Sequence, residues 1–272
     1  MEQIFAPGMF SGQVVVVTGG GSGIGRCVAE EAGKLGAKVA ICGRKQEKLD
    51  IAKAELSAMG IDVLAKTCDT RLPEQVIEFV DAVLAAYGRI DVLVNNAGGQ
   101  FPTMAEHLQL KGFEAVVRNN LLGTWNVTHA VATRAFIKQK SGKIVNVIAQ
   151  IARGFPGMVH TGAARAGVEN MTKSLAIEWA QYGIRVNAVA PGVIKTTGTA
   201  QYPPALLEMG RKATPIKRLG RDEEVSHLIV YLGSKAADFI TGQSFYIDGG
   251  QSLWGDIFSI ADQIPGADPP AM

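Results

Sequence analysis

Short apolar runs rich in β-branched residues alternate along the chain with longer stretches of helical period. Gln13–Thr18 (QVVVVT) is almost continuously apolar, as expected for a strand buried on both faces. A helical run follows from Ile24 to Leu35, then a strand at Lys38–Cys42 and a helix at Lys45–Met59. Asp62–Thr67, Asp91–Val94, Lys143–Ile148, Ile184–Ala190 and Ser244–Asp248 read as further strands. Helices are predicted over Pro73–Tyr87, Gly112–Lys138, His160–Gln181 and Asp222–Leu232. Repeated βα units with buried strands predict an α/β fold, a doubly wound parallel sheet with helices on both faces and right-handed crossovers.

No linker divides the chain, so residues 1–272 read as a single domain, with a core over about 11–250 and a tail over 251–272. Thr196–Pro204 is a long irregular stretch leaving the strand Ile184–Ala190 at its carboxyl edge. Ligands bind at that edge of open α/β sheets, so this stretch is a candidate substrate lid.

Composition narrows the class. Of 272 residues, 47% are hydrophobic and 19% charged, an ordinary globular balance. Net charge is +2 and no basic run is interleaved with aromatics, which argues against nucleic acid as a partner. No apolar stretch reaches membrane-span length, and MEQIFAPGMF lacks the regions of a signal peptide. Cys27, Cys42 and Cys68 have no metal-ligand spacing. Reduced thiols, no metal, no membrane contact and a cytoplasmic location are expected.

The candidate chemistry begins directly after the first strand, at Thr18–Gly25 (TGGGSGIG). Gly19, Gly23 and Gly25 allow a tight turn, close approach to a pyrophosphate and packing of the helix on the sheet. The helix start, with Ser22 and Ile24, offers free N–H groups and the positive dipole end to phosphate. A second motif, Asn95–Gly98 (NNAG), follows the strand Asp91–Val94.

These two motifs, at this separation, resemble the short-chain dehydrogenase/reductase family. Asn120–Gly123, Gly142–Val147 (GKIVNV), Arg185–Gly192 (RVNAVAPG), Thr241–Gly242 and Asp248–Gly250 resemble further family segments in order. The resemblance covers about residues 11–250. It implies a single-domain Rossmann fold with a seven-stranded sheet, a nicotinamide cofactor and a homotetramer. It places Asn96, Ala97 and Gly98 against the cofactor, Asp69 and Thr70 at the adenine, and Pro191, Gly192, Ile194 and Thr196 at the nicotinamide. The cofactor can also be argued physically. An acid at the end of the second strand would bind a ribose 2′-OH and repel a 2′-phosphate. The chain has Cys42-Gly43-Arg44-Lys45 there, two cations and no carboxylate, so NADP(H) is expected.

The family's usual site contains asparagine, serine, tyrosine and lysine. Aligning ARAGV here with the usual SKAGV puts Arg165 at the lysine and Thr161 at the tyrosine, with Ala149 or Gln150 near the serine. Asn120 is retained. Arg165 keeps the charge that would hold the nicotinamide ribose. Threonine is a far weaker acid than tyrosine, whose pKa is about 10. Reduction of a 2-enoyl thioester tolerates that loss. Hydride goes to Cβ, charge develops on the thioester oxygen, and hydrogen bonds suffice to stabilise it. A ketone reductase must protonate an alkoxide.

Asn95–Phe101 (NNAGGQF), Phe155-Pro156, His160–Gly167 (HTGAARAG) and Lys173–Trp179 (KSLAIEW) resemble the trans-2-enoyl-CoA reductases, best known from peroxisomes, and the 2,4-dienoyl-CoA reductases. The dienoyl type uses a tyrosine near position 150, where this chain has Gln150. Pro270-Ala271-Met272 is not a peroxisomal address. The leading expectation is an NADPH-dependent reductase of a trans-2-enoyl-CoA. Its catalytic residues would be Asn120 and Thr161 at the thioester oxygen and Arg165 at the ribose. Two alternatives stand beside it. One is an alcohol dehydrogenase for a branched or terpenoid alcohol, recruiting His160 or Tyr202 as acid. The other is a non-catalytic NADP-binding protein.

Overall fold

β1 (Val14–Thr18) is five residues long, four of them valine, and all five are buried. Branched side chains on both faces suit a central strand covered from both sides. In the computed structural model, which describes residues 4–196 and 203–254, β1 pairs in parallel with β2 (Lys38–Gly43) and β4 (Val92–Asn95). β3 (Val63–Thr67), β5 (Gly142–Val147), β6 (Ile184–Pro191) and β9 (Ser244–Ile247) complete a seven-stranded sheet in the order β3-β2-β1-β4-β5-β6-β9. Every pairing in it is parallel. The chain runs outward from β1 to β3, then returns to place β4 on the other side of β1. The crevice between β1 and β4 is therefore the topological switch point. Two short strands, β7 (Ile194–Lys195) and β8 (Gly220–Arg221), pair beside the main sheet.

The period of two along β1 divides the core. Val15 and Val17 face one layer, with α1 (Gly23–Lys34), α2 (Gln46–Ala58) and α9 (Asp222–Gly233) contributing Val28, Leu49, Leu56 and Ile229. Val14 and Val16 face the other, where α3 (Pro73–Tyr87), α5 (Gly123–Val131) and α7 (Val159–Glu178) contribute Phe79, Val80, Val127 and Leu175. Each such side chain adds roughly 1.5–3 kcal/mol by burial.

Two differences from the sequence expectation bear on the site. The helix expected over Gly112–Lys138 is a rod in which α4 (Leu110–Val117), α5 and α6 (Ile137–Gln139) are joined by π-helical turns at Arg118–Leu122 and Ala132–Phe136. And α8 (Pro204–Ala213) stands in a region where no helix was expected. Pro203-Pro204 reads as a break, yet proline is well tolerated in the first turn of a helix, and Pro204 occupies it here. Of the candidate lid, 197–202, including Tyr202, lies outside the described residues. No helix among the described residues is long and apolar enough to cross a membrane.

Candidate active site

The floor of the site is the turn after β1. Gly19 has φ +69°, a conformation that favours glycine. At Gly25 a Cβ would stand 2.6 Å from the Gly19 carbonyl oxygen and 2.4 Å from Asn96 Nδ2, so only glycine lets α1 sit this close. The NNAG segment shapes the same turn. Thr18 Oγ1 accepts from the N–H of Asn96 (3.0 Å) and of Ala97 (2.9 Å), and Asn96 Nδ2 donates to the Thr18 carbonyl at 3.0 Å. Ser22, at the N-cap of α1, makes no side-chain cap hydrogen bond, which leaves the first-turn N–H groups to a ligand.

Above this floor opens a cleft of about 880 Å³. Gly19, Ser22, Gly23 and Ile24 line it at the turn, and Asn96, Ala97 and Gly98 line it from β4. Arg44, Lys45 and Thr70 line one end, and Pro191, Gly192, Ile194 and Thr196 line the other. Gly25 is buried behind the wall as a packing residue. Asp69 is also absent from the wall. Arg71 binds its carboxylate (Nη2 to Oδ2, 2.5 Å) and, chiefly through that hydrogen bond, holds it below the usual range. The cations Arg44, Lys45 and Lys48 line the cleft, and among the described residues no carboxylate belongs to its wall. The three cysteines are free thiols, and no metal-binding cluster of His, Cys, Asp or Glu occurs among the described residues.

The opposite end of the cleft lies close to the expected catalytic residues, each in a distinct setting. Asn120, in the π-helical turn, is fully buried. Its Oδ1 accepts from the Gly99 N–H (3.0 Å), and its Nδ2 donates to the Gly99 carbonyl (2.9 Å). Each end of the amide makes one bond to this backbone, and Asn120 is not among the residues of the cleft wall. Thr161 is likewise fully buried and outside the wall. His160 is fully buried in the first turn of α7, edge-on to Phe101 at 4.6 Å. Its Nδ1 lies 2.9 Å from the Thr161 N, whose N–H is shared with the Met158 carbonyl (2.9 Å), and its buried Nε2 has no partner among the described residues.

Arg165 does line the cleft, although it is only 7% exposed. Nη1 donates to the Val147 carbonyl at 2.8 Å, and Nη2 lies against Gly98. Nε is buried without a partner. Burial pushes the guanidinium down to about 10. Beneath it runs a buried polar seam that joins the strands to the helices. Asn95 Nδ2 donates to Thr128 Oγ1 (2.7 Å) and Asn146 Oδ1 (2.8 Å), and Asn146 Nδ2 donates to Thr172 Oγ1 (2.9 Å).

Several wall residues carried no signal as site residues in the sequence. Gln100 and Asn119 add side-chain amides to the wall, as does Gln150, and Leu206, Leu207 and Met209 of α8 add an apolar face. Glutamine has no motif of its own. The usable signal was position, since Gln100 and Gln150 follow the carboxyl ends of β4 and β5.

A glycine cradle that a Cβ would fill, an uncapped helix N-terminus and a buried cation with an orphaned donor all fit a nicotinamide dinucleotide. At the switch point of a doubly wound sheet they define a class, the dinucleotide-dependent oxidoreductases. Residues 19–252 match the family model described as enoyl-(acyl carrier protein) reductase. The chain belongs to this family of short-chain dehydrogenases/reductases. It is 37% identical over 255 residues to the peroxisomal 2,4-dienoyl-CoA reductase of Danio rerio, covering 92% of this chain and 85% of that one. It is 38% identical over 240 residues to the 3-oxoacyl-(acyl-carrier-protein) reductase FabG of Thermotoga maritima, covering 88% and 97%. Among solved structures, the citronellol catabolism dehydrogenase AtuB of Pseudomonas aeruginosa PAO1 is 45% identical with a TM-score of 0.85, covering 93% of this chain and 100% of that one.

Proposed function

We propose that this protein is an NADPH-dependent reductase of the C=C bond of a trans-2-enoyl-CoA. The observation that carries the reading is the character of the cleft wall around Arg165. Gln100, Asn119, Gln150 and Gln251 are among its polar residues, and among the described residues the wall contains no tyrosine, histidine or carboxylate. Such a wall suits a reaction that needs hydrogen bonds to oxygen and no proton transfer to it. The likeness to 2,4-dienoyl-CoA reductases supports the same reaction type and an acyl-CoA substrate.

The α1 N-terminus would hold the pyrophosphate, and Arg44 and Lys45 the 2′-phosphate. Arg165, which lines the cleft, would hold the ribose hydroxyls through its guanidinium. When bound, the nicotinamide supplies hydride to the substrate Cβ. The π pair of the C=C bond then moves to the thioester oxygen, and Cα takes a proton from water as the carbonyl re-forms. Leu206, Leu207 and Met209, opposite Ile148, Phe155 and Met158, would cover the acyl chain and exclude water from the reacting carbons. Leu110, Trp125 and Ile177 are exposed on α4, α5 and α7, which favours self-association, to be checked by light scattering.

A second reading has one observation in its favour, the 45% identity to a relative named for citronellol catabolism. It would make the protein a dehydrogenase of a terpenoid alcohol. Both are tested by following NADPH with trans-2-enoyl-CoAs of increasing chain length, and NADP⁺ with citronellol. Consumption of NADPH with an enoyl-CoA is expected. No turnover at any chain length, with NADPH binding intact, would sink the reductase reading.

A further inference from the structure

Two of the wall residues, Gln100 and Gln150, leave backbone that is anchored more firmly than ordinary loop backbone. Gln100 directly follows Gly99, whose N–H and carbonyl are both gripped by the buried Asn120. The grip holds the two peptide groups on either side of the Gly99 Cα, and hence the direction in which the backbone of Gln100 leaves them. Gln150 is anchored by its own N–H, which donates to the Pro191 carbonyl at 3.0 Å. Two residues earlier, the Ile148 N–H donates to the Val189 carbonyl at 2.8 Å, so the β5–β6 ladder continues beyond the end of β5. β4 and β5 are neighbours in the sheet, so the two loops leave its carboxyl edge side by side. The Arg165 guanidinium lies between their roots, on Val147 at the end of β5 and against Gly98 after β4. Both glutamines line the cleft, and neither side chain hydrogen-bonds to another side chain or to backbone among the described residues.

We infer that Gln100 and Gln150 form the oxyanion clamp of this enzyme, donating their amide N–H groups to the thioester oxygen of the substrate, with Asn120 the positioning residue for Gln100. The assignment rests on the reductase reading above and supplies the contacts that Asn120 and Thr161, withdrawn from the wall, do not make. An amide fits this task chemically. Hydride addition at Cβ breaks the C=C π bond and leaves its electron pair on the oxygen as an enolate. The pair returns when Cα forms its bond to a proton from water, which leaves as hydroxide. The donors must hold the oxygen without surrendering a proton, and a carboxamide N–H does not ionise in this pH range.

The test uses Gln100→Glu and Gln150→Glu, near-isosteric changes that replace a donor by a negative charge. At about pH 8 each is expected to lower kcat with an enoyl-CoA by about 100-fold or more, the usual effect of losing one oxyanion donor. NADPH affinity should stay within about twofold, since neither residue is assigned to the cofactor. Activity should recover toward about pH 5, as the new carboxyl approaches its pKa of about 4.3 and becomes a donor. A merely packing role would give a loss independent of pH. A second arm needs no turnover. Wild type should bind a saturated acyl-CoA about tenfold or more tighter than the thioether analogue lacking the carbonyl oxygen, and the variants should not. Failure of wild type to reduce any enoyl-CoA, with this preference intact, would remove the reductase reading and leave the clamp. The clamp is overturned if both variants stay within about threefold of wild-type kcat, if their losses are equal at the two pH values, or if wild type shows no preference for the carbonyl compound.

Discussion

Gly98→Ala places one methyl group at the tightest point of the site. A Cβ at Gly98 would stand 2.4 Å from Arg165 Nη2 and 2.7 Å from Asn120 Oδ1. Ordinary contact needs about 3.5 Å, so the guanidinium must retreat by about 1 Å. The backbone is not the obstacle, because Gly98 is not in the left-handed region and alanine can take its conformation. Retreat is resisted on the other side, where Nη1 already donates to the Val147 carbonyl at 2.8 Å in a buried setting. Losing a hydrogen bond of this charged kind costs about 1.5–3 kcal/mol. With a tenfold change for every ~1.4 kcal/mol, kcat/KM should fall by about 10- to 100-fold. The assay is steady-state NADPH oxidation with an enoyl-CoA, alongside fluorescence titration of NADPH and thermal melting. If Gly98→Ala melts like wild type and keeps kcat/KM within about threefold, Arg165 is not a confined group at the reacting end, and the reasoning fails.

Three further outcomes are expected. Arg44→Asp should weaken NADPH binding by about 10- to 100-fold through loss of a charge-assisted fork while sparing NADH, read as the ratio of the two dissociation constants. Asn146→Ala removes two hydrogen bonds from the buried seam, leaving Asn95 Nδ2 its bond to Thr128 Oγ1 and Thr172 Oγ1 its bond to the Val168 carbonyl, at roughly 1–3 kcal/mol in all plus the cost of the cavity. Its Tm should drop by about 5–15 °C in a chain of this size. Because burial lowers Arg165 to about 10, its charged form is disfavoured in the fold. That cost to stability is present below this pH and is relieved as pH rises toward the ordinary arginine value. Activity that uses the cation should therefore fall through about pH 10. In Arg165→Lys, whose amine starts near 10.4 and meets the same burial, the alkaline limb of the pH–rate profile should move to lower pH.

Much of the scaffold was legible because its signals are local. Four consecutive valines in β1 could only be buried on both faces, and Pro73–Tyr87 begins on a first-turn proline and ends on Gly88 at φ +75°. The phosphate turn and NNAG were legible for the same reason, since each needs particular small residues at fixed spacing. The polar residues at the reacting end were harder to read. Sequence identifies Asn120 and Thr161 as retained or substituted positions, but which way each side chain points depends on the π-helical turn and on how α7 packs. Neither follows from hydrophobic period. α8 was hidden by its own prolines, and Gln100 by the neutrality of its side chain.

The π-helical turn at Arg118–Leu122 has a consequence for how this enzyme can change. A turn of this kind carries one residue more than the regular helix on either side. Deleting that residue would leave a well-bonded helix, yet rotate all that follows by about 100° relative to what precedes it. Either the apolar stripe of α5 would stay on the sheet or Asn120 would keep its hold on Gly99, but not both. A one-residue shortening at this point could spare the architecture and abolish catalysis, so chain length across 118–122 should distinguish working copies of this design from silent ones.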